Sequence, residues 1–160
     1  MTSKITSFFA PKNKRIKLNT ICPEEDVYIL MFDGGSRGNP GTAGAGFVIY
    51  KNEVELFAGC APLGHATNNF AEYKGLELGL QYAIDNNIKT LNIKGDSMLV
   101  LNQVTNKWRV KSLTLQEVCK NCKKLLCKLD KYTVEHVRRK YNKRADEMAN
   151  KAMDGVILTS

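Results

Sequence analysis

Val27-Tyr28-Ile29-Leu30-Met31-Phe32-Asp33-Gly34-Gly35 decides how this chain is built. An unbroken apolar succession from Val27 to Phe32 suits a central strand covered on both faces, because a half-solvated strand would alternate. Asp33-Gly34-Gly35 stops the run, which predicts a carboxylate at the end of a buried strand.

Outward from this strand, Gly44-Ala45-Gly46-Phe47-Val48-Ile49-Tyr50 and Glu53-Val54-Glu55-Leu56-Phe57-Ala58 are separated by the short Lys51-Asn52 turn, a hairpin signal. Residues 69–86 then change to helical period, with Leu76, Leu80, Ala83 and Ile84 on one side. A short strand is expected at Thr90-Leu91-Asn92-Ile93, with helices over 97–104 and 113–129, a strand over 132–137 and a last helix over 143–153. The order βββαβααβα predicts an α/β fold: a mixed five-stranded sheet, three antiparallel strands followed by parallel crossovers, with helices on both faces. Residues 1–25 carry no apolar period and end in Pro23-Glu24-Glu25-Asp26, so a disordered tail is expected before a domain over 26–154, with a C-terminal tail over 155–160.

A chain of 160 residues accommodates one domain of ordinary size. No apolar run approaches the roughly 18 residues of a membrane span, and no secretory signal opens the chain, so an intracellular protein without membrane contact is expected. The odd number of cysteines, five, argues against a complete disulfide framework and for reduced thiols. The net charge of +8 is unevenly spread: residues 21–106 hold ten acids against five bases, whereas residues 107–144 hold thirteen bases against three acids. Such a split suits a polyanion held beside a carboxylate cluster, or simply a solubilising surface.

Asp33 and Asp96 both follow apolar strands, and strand ends are where open α/β sheets bind ligands. Glu72 and Asp146 are expected in first turns of helices, where an acid also complements the helix dipole. That explanation does not reach Asp33, because a carboxylate desolvated at a sheet end must be paired or coordinate a metal. Clustered hard oxygens suit Mg2+ or Mn2+, and a pair of such ions serves in-line phosphodiester displacement.

The segments Asp33-Gly34-Gly35-Ser36-Arg37-Gly38-Asn39-Pro40-Gly41, Thr67-Asn68-Asn69-Phe70-Ala71-Glu72, Gly95-Asp96-Ser97 and His136-Val137 leading to Asn142-Lys143-Arg144-Ala145-Asp146 closely resemble, in composition and order, the type 1 ribonuclease H family. The resemblance implies an endonuclease cutting the RNA strand of RNA/DNA hybrids with two Mg2+ ions, Mn2+ being a possible substitute, and acting as a monomer. It implies that Asp33 bridges both ions, that Asp146 completes the site of the ion activating water, and that Glu72 and Asp96 hold the ion at the leaving 3′-oxygen. Gly34, Asn39, Asn68 and Asn69 match family positions that meet the hybrid, and Thr67 matches one that meets a DNA-strand phosphate. Short amides read minor-groove acceptors and 2′-hydroxyls; turn and cap chemistry around Glu72 is the competing explanation.

Many family members carry a loop histidine before the last aspartate. Here that segment reads Val137-Arg138-Arg139-Lys140-Tyr141, so an arginine, Arg138 or Arg139, is expected to supply electrostatics at the phosphate. His136 falls at the end of the fifth strand and reads as structural. The subgroup this resembles also includes cleavage of double-stranded RNA, a second possible substrate. A basic, tryptophan-rich insertion is missing too: Trp108 is the single tryptophan, flanked by Lys107, Arg109 and Lys111. Lys120, Lys123, Lys124 and Lys128 on the following helix either replace its phosphate contacts or form a solvated face. Cys119, Cys122 and Cys127 there read as buried or free thiols rather than zinc ligands.

Thr2-Ser3-Lys4-Ile5-Thr6-Ser7-Phe8-Phe9 resembles the peptide with which replication and repair proteins dock on the sliding clamp, Ile5, Phe8 and Phe9 being its anchors. Lys12-Asn13-Lys14-Arg15-Ile16-Lys17 suits a nuclear targeting signal or an extra nucleic-acid contact. The alternatives to a hybrid nuclease recruited to DNA replication or repair are a non-catalytic nucleic-acid-binding module of the same fold and an integrase-like enzyme acting on DNA.

Overall fold

In the computed structural model, β1 (Tyr28–Arg37) occupies the middle of a five-stranded sheet, because its alternate side chains feed two different cores. Leu30 and Phe32 enter the larger core, whereas Met31 packs on the smaller one with Val48 and Met148. The structure describes residues 25–159; the expectations for the tail, including Ile5, Phe8, Phe9 and the basic run over 12–17, lie outside the described residues.

The remaining elements follow as β2 (Gly41–Lys51), β3 (Val54–Ala66), α1 (Asn68–Asp85), β4 (Thr90–Gly95), α2 (Met98–Val104), α3 (Leu113–Leu126), β5 (Lys131–His136), a single 3-10 turn (Arg139–Tyr141) and α4 (Lys143–Met153). Strand order is β3-β2-β1-β4-β5, with β1, β2 and β3 antiparallel and β4 and β5 parallel to β1. The expected mixed α/β architecture is thus the observed one. Side chains of α1, α2 and α3 build the larger core and those of α4 the smaller, so the helices cover both faces. No helix among the described residues is long and apolar enough to cross a membrane.

Asp33 is not at the end of its strand, contrary to the expectation from the glycines behind it. The antiparallel pairing with β2 continues through Asp33↔Gly46 to Arg37↔Thr42. What ends at this level is the other neighbour, since the parallel ladder to β4 closes at Phe32↔Gly95. Asp33 therefore sits in the crevice where one side of β1 has lost its strand partner.

The glycines serve close packing more than turning. A Cβ on Gly34 would lie 2.1 Å from the carbonyl carbon of Ala71, and one on Gly75 2.4 Å from the carbonyl oxygen of Asp33. On the opposite face, a Cβ on Gly46 would lie 2.4 Å from the amide nitrogen of Ala149. Helices α1 and α4 consequently touch the Asp33/Gly46 rung backbone to backbone.

The hairpin turn is Asn52-Glu53 rather than Lys51-Asn52: both residues take positive φ, 49° and 68°, as a two-residue hairpin loop favours. Helix α3 closes at Leu126, which leaves Lys128 and Leu129 beyond it. Past α4 the chain returns to the sheet edge, where Cys60 and Leu158 exchange backbone hydrogen bonds of 2.8 and 2.9 Å.

Placing a methyl group at Gly46 forces α4 away from the sheet, a change worth about 1–3 kcal/mol. Gly46→Ala is expected to melt about 2–12 °C below the parent by differential scanning calorimetry. An unchanged melting temperature contradicts the close approach.

Candidate active site

The crevice beside Phe32 and Gly95 collects acids from separate elements. Asp33 comes from β1 and is 5% exposed; Asp96 is the first residue past β4. Glu72 comes from α1, but not from its first turn, which holds no acid. Thr67 caps that helix through Oγ1, which accepts from the Phe70 amide at 3.2 Å, so the helix begins at Asn68 and Glu72 falls in the second turn. Helix-dipole complementation, effective only in the first turn, therefore does not account for Glu72. Asp146 does stand in the first turn of α4.

One oxygen each of Asp33, Glu72 and Asp96 lies within 4.8 Å of the others. Asp146 stands at the rim, near enough to Asp33 for side-chain hydrogen bonding, and its Oδ2 accepts from Asn150 at 3.3 Å. Burial raises the pKa of both Asp33 and Glu72 above the ordinary carboxylate range. Neighbouring charge raises them further, that of Asp96 on Asp33 and those of Asp33 and Asp96 on Glu72. Asp96 is raised by burial too, against the opposing effects of its own backbone, Arg139 and Asn142.

Two buried oxygens in this group, Glu72 Oε2 and Asp96 Oδ1, have no hydrogen-bond partner among the described residues. Uncompensated carboxylate oxygens cost folding free energy unless they are protonated or meet a cation. The donor set, all hard oxygen and closely spaced, fits a divalent cation of the Mg2+ or Mn2+ kind.

Of the two candidate arginines, the 3-10 turn brings Arg139 to the cluster. Its guanidinium stands 4.0 Å from Asp146, and its charge is felt at Glu72 and Asp96. Arg138, at the cap of that turn, forms no ion pair among the described residues. His136 Nε2 lies 3.2 Å from the backbone oxygen of Asp96, a contact that anchors the end of β4.

The predicted substrate residues line one continuous loop system. Asn39 Oδ1 accepts from the Asn68 amide at 3.1 Å, and Asn68 Oδ1 accepts from the Ser36 amide at 2.7 Å. Ser36 Oγ donates to Ala66 at 2.8 Å and also contacts the Gly38 carbonyl. These bonds hold the β1–β2 turn against the entry of α1 and leave the Nδ2 donors of Asn39 and Asn68 without a partner among the described residues. Asn69 is exposed on a groove shared with Asn39, His65, Thr67 and Ser112. Gly34 is half-buried under Ala71, with its amide toward the Asp33 carboxylate. A second shallow groove joins Trp108 to Lys107, Arg109, Lys120 and Lys123, and Lys123 donates to Asn106 at 2.6 Å. Cys119 and Cys122 are buried free thiols and Cys127 an exposed one.

Two further residues contribute to the site, Gly75 and Asn142. Gly75 interrupts an otherwise helical apolar period, a signal of close backbone approach. Asn142 was visible only as part of a motif, and its burial at 1% exposure depends on tertiary structure.

A family model described as reverse transcriptase-like matches residues 31–152. Ribonuclease HI of Halobacterium salinarum is 40% identical over 124 residues, covering 77% of this chain and 62% of that protein. The chain thus spans less than two thirds of this curated relative. Bifunctional protein Rv2228c of Mycobacterium tuberculosis is 38% identical over 128 residues, or 79% of this chain and 35% of that one. Among solved structures, RNase H1 of Halobacterium salinarum superposes with a TM-score of 0.77 at 37% identity, covering 81% of this chain and 98% of that one. LC11-RNase H1, solved in complex with an RNA/DNA hybrid, gives a TM-score of 0.75 at 33% identity, covering 80% and 97%. Matched in sheet topology, in sequence and along most of its length, this chain belongs to the ribonuclease HI family, within the wider reverse transcriptase-like family.

Proposed function

We propose that this chain hydrolyses the RNA strand of RNA/DNA hybrids with two divalent ions, Mg2+ in the first place and Mn2+ as a substitute. The observation that carries this is the trio Asp33, Glu72 and Asp96, with two buried oxygens left unpartnered at the crevice. Likeness to ribonuclease HI proteins, one of them solved with a hybrid, supports the substrate class.

In this reading Asp33, Glu72, Asp96 and Asp146 would hold the two ions, with Asp33 contributing to both sites, Asp146 to one, and Glu72 and Asp96 to the other. When bound, the ions supply activation of the attacking water and neutralisation of charge at the leaving 3′-oxygen. The protein contributes placement: two glycine-packed helices bring Glu72 and Asp146 to the Asp33 rung. Arg139, whose side chain is 84% exposed beside Asp146, faces solvent where a scissile phosphate can approach.

Hybrid selection falls to the amides. With their Oδ1 atoms committed to the main chain, Asn39 and Asn68 present Nδ2 donors, and exposed Asn69 presents a further amide. Donors so fixed suit minor-groove acceptors and 2′-hydroxyls. Thr67 and the groove containing Trp108, Lys107 and Arg109 offer contacts to backbone phosphates. The working unit is residues 26–154, acting as a monomer. The N-terminal segment, outside the described residues, recruits it to the sliding clamp through Ile5, Phe8 and Phe9, placing the activity in DNA replication or repair.

Labelled hybrid, double-stranded RNA and double-stranded DNA, incubated with Mg2+ or Mn2+, test the central part. The parent is expected to cut hybrid only in the presence of a divalent ion, and Asp33→Asn to lower kcat by at least about 100-fold. Equal cutting by Asp33→Asn, or no cutting of hybrid by the parent, sinks the proposal; cutting of double-stranded RNA widens the substrate range. For recruitment, the full chain is expected to bind immobilised clamp and the Phe8→Ala/Phe9→Ala variant to lose at least about 10-fold in affinity. Equal binding ends that part.

A further inference from the structure

Asn142 stands between the 3-10 turn and α4, 1% exposed. An asparagine at a helix N-cap ordinarily bonds the first amides of its helix. Here the side chain makes no capping bond. Its Nδ2 donates instead to the carbonyl of Phe32 at 2.8 Å, the residue preceding Asp33, where the pairing of β1 with β4 has ended. A side chain thereby replaces the missing strand partner.

The same amide lies close enough to Asp96 to favour its carboxylate. Its main chain is also engaged: the Asn142 amide donates to the Arg139 carbonyl at 3.0 Å, and its carbonyl accepts from the Asp146 amide at 3.1 Å. One residue therefore bonds β1 beside Asp33, the turn carrying Arg139 and the helix carrying Asp146.

We propose that Asn142 is a positioning residue that sets the spacing of Asp33, Asp96 and Asp146, and through it the affinity of this cluster for a divalent cation. The inference rests on the cation-dependent reading above. A merely structural role would require only that the Phe32 carbonyl be satisfied. It would not account for Asn142 Oδ1, which is buried without a partner among the described residues. Leaving a buried acceptor unbonded is unfavourable, and such groups collect where a protein is built around something it does not itself contain. Residues that orient metal ligands through hydrogen bonds typically change metal affinity by about 10–100-fold when removed.

Isothermal titration of Mn2+ into the full chain tests this without turnover, alongside kcat and KM for hybrid. Asn142→Ala is expected to weaken Mn2+ binding by about 10-fold or more and to lower kcat, with KM for hybrid within about twofold of the parent. Asn142→Ser, which retains a small donor, is expected to fall between the two. Parent-like Mn2+ affinity in whichever of these variants folds overturns the inference while leaving the proposed function intact. Failure of both to fold also overturns it, because the residue is then required by the fold itself. A parent that neither binds Mn2+ nor cuts hybrid removes the proposed function and this inference together.

Discussion

A single rung of the sheet, Asp33↔Gly46, is touched by backbone from both sides. Gly75 of α1 approaches the Asp33 carbonyl on one face, and α4 reaches Gly46 at Met148 and Ala149 on the other. Any side chain at these glycines would push a helix off the rung, because a Cβ there falls at 2.4 Å from main-chain atoms. Everything else in the crevice follows from that contact. Glu72 and Asp146 reach Asp33 because their helices do, and Asp33 is desolvated because the same helices cover it.

Desolvation then determines the chemistry. Buried acids raised in pKa by burial and by one another are mutually destabilising as anions, yet among the described residues no basic side chain is buried with them to compensate. Arg139 approaches from the rim, with its side chain 84% exposed. The site is consequently one that holds protons or a cation. Further from the crevice, Lys107, Arg109, Lys111, Lys120, Lys124 and Lys128 form no ion pair among the described residues. By contrast, Arg144 is spent on Glu55 and Glu147. These six cations share the α2–α3 side of the domain, a distribution that suits a polyanion.

The apolar run from Val27 to Phe32 was legible as a buried central strand, and the helix Lys143–Met153 emerged with the bounds its periodicity predicts. The end of β1 was not legible. Asp33-Gly34-Gly35 looks like a stop in one dimension, but the strand continues because the glycine- and alanine-rich β2 pairs with it to Arg37. Glu72 falls one position further into α1 than expected, and so in the second turn, because the cap at Thr67 starts the helix at Asn68. Arg138 and Arg139 are adjacent and chemically identical in the sequence; only the 3-10 turn distinguishes them. The four candidate carboxylates could be singled out beforehand through their motifs, whereas the unpartnered oxygens and the role of Asn142 depend on burial, which no local pattern encodes.

If these carboxylates are arranged for a divalent cation, protons and cation must compete for them. Folded-state pKa values raised above the unfolded range near 4 mean that the neutral acids stabilise the fold at low pH. That contribution disappears as the pH climbs through the raised values, and a cation replaces it, binding only the deprotonated carboxylates. The most direct measurement is the shift in melting temperature produced by Mn2+ at successive pH values from about 5 to 8. The expected shift grows with pH, reaches about 5–10 °C when Mn2+ is near 100 times its Kd, and is absent in Asp33→Asn. A shift that is nil, independent of pH, or retained in Asp33→Asn contradicts a cation site at these carboxylates.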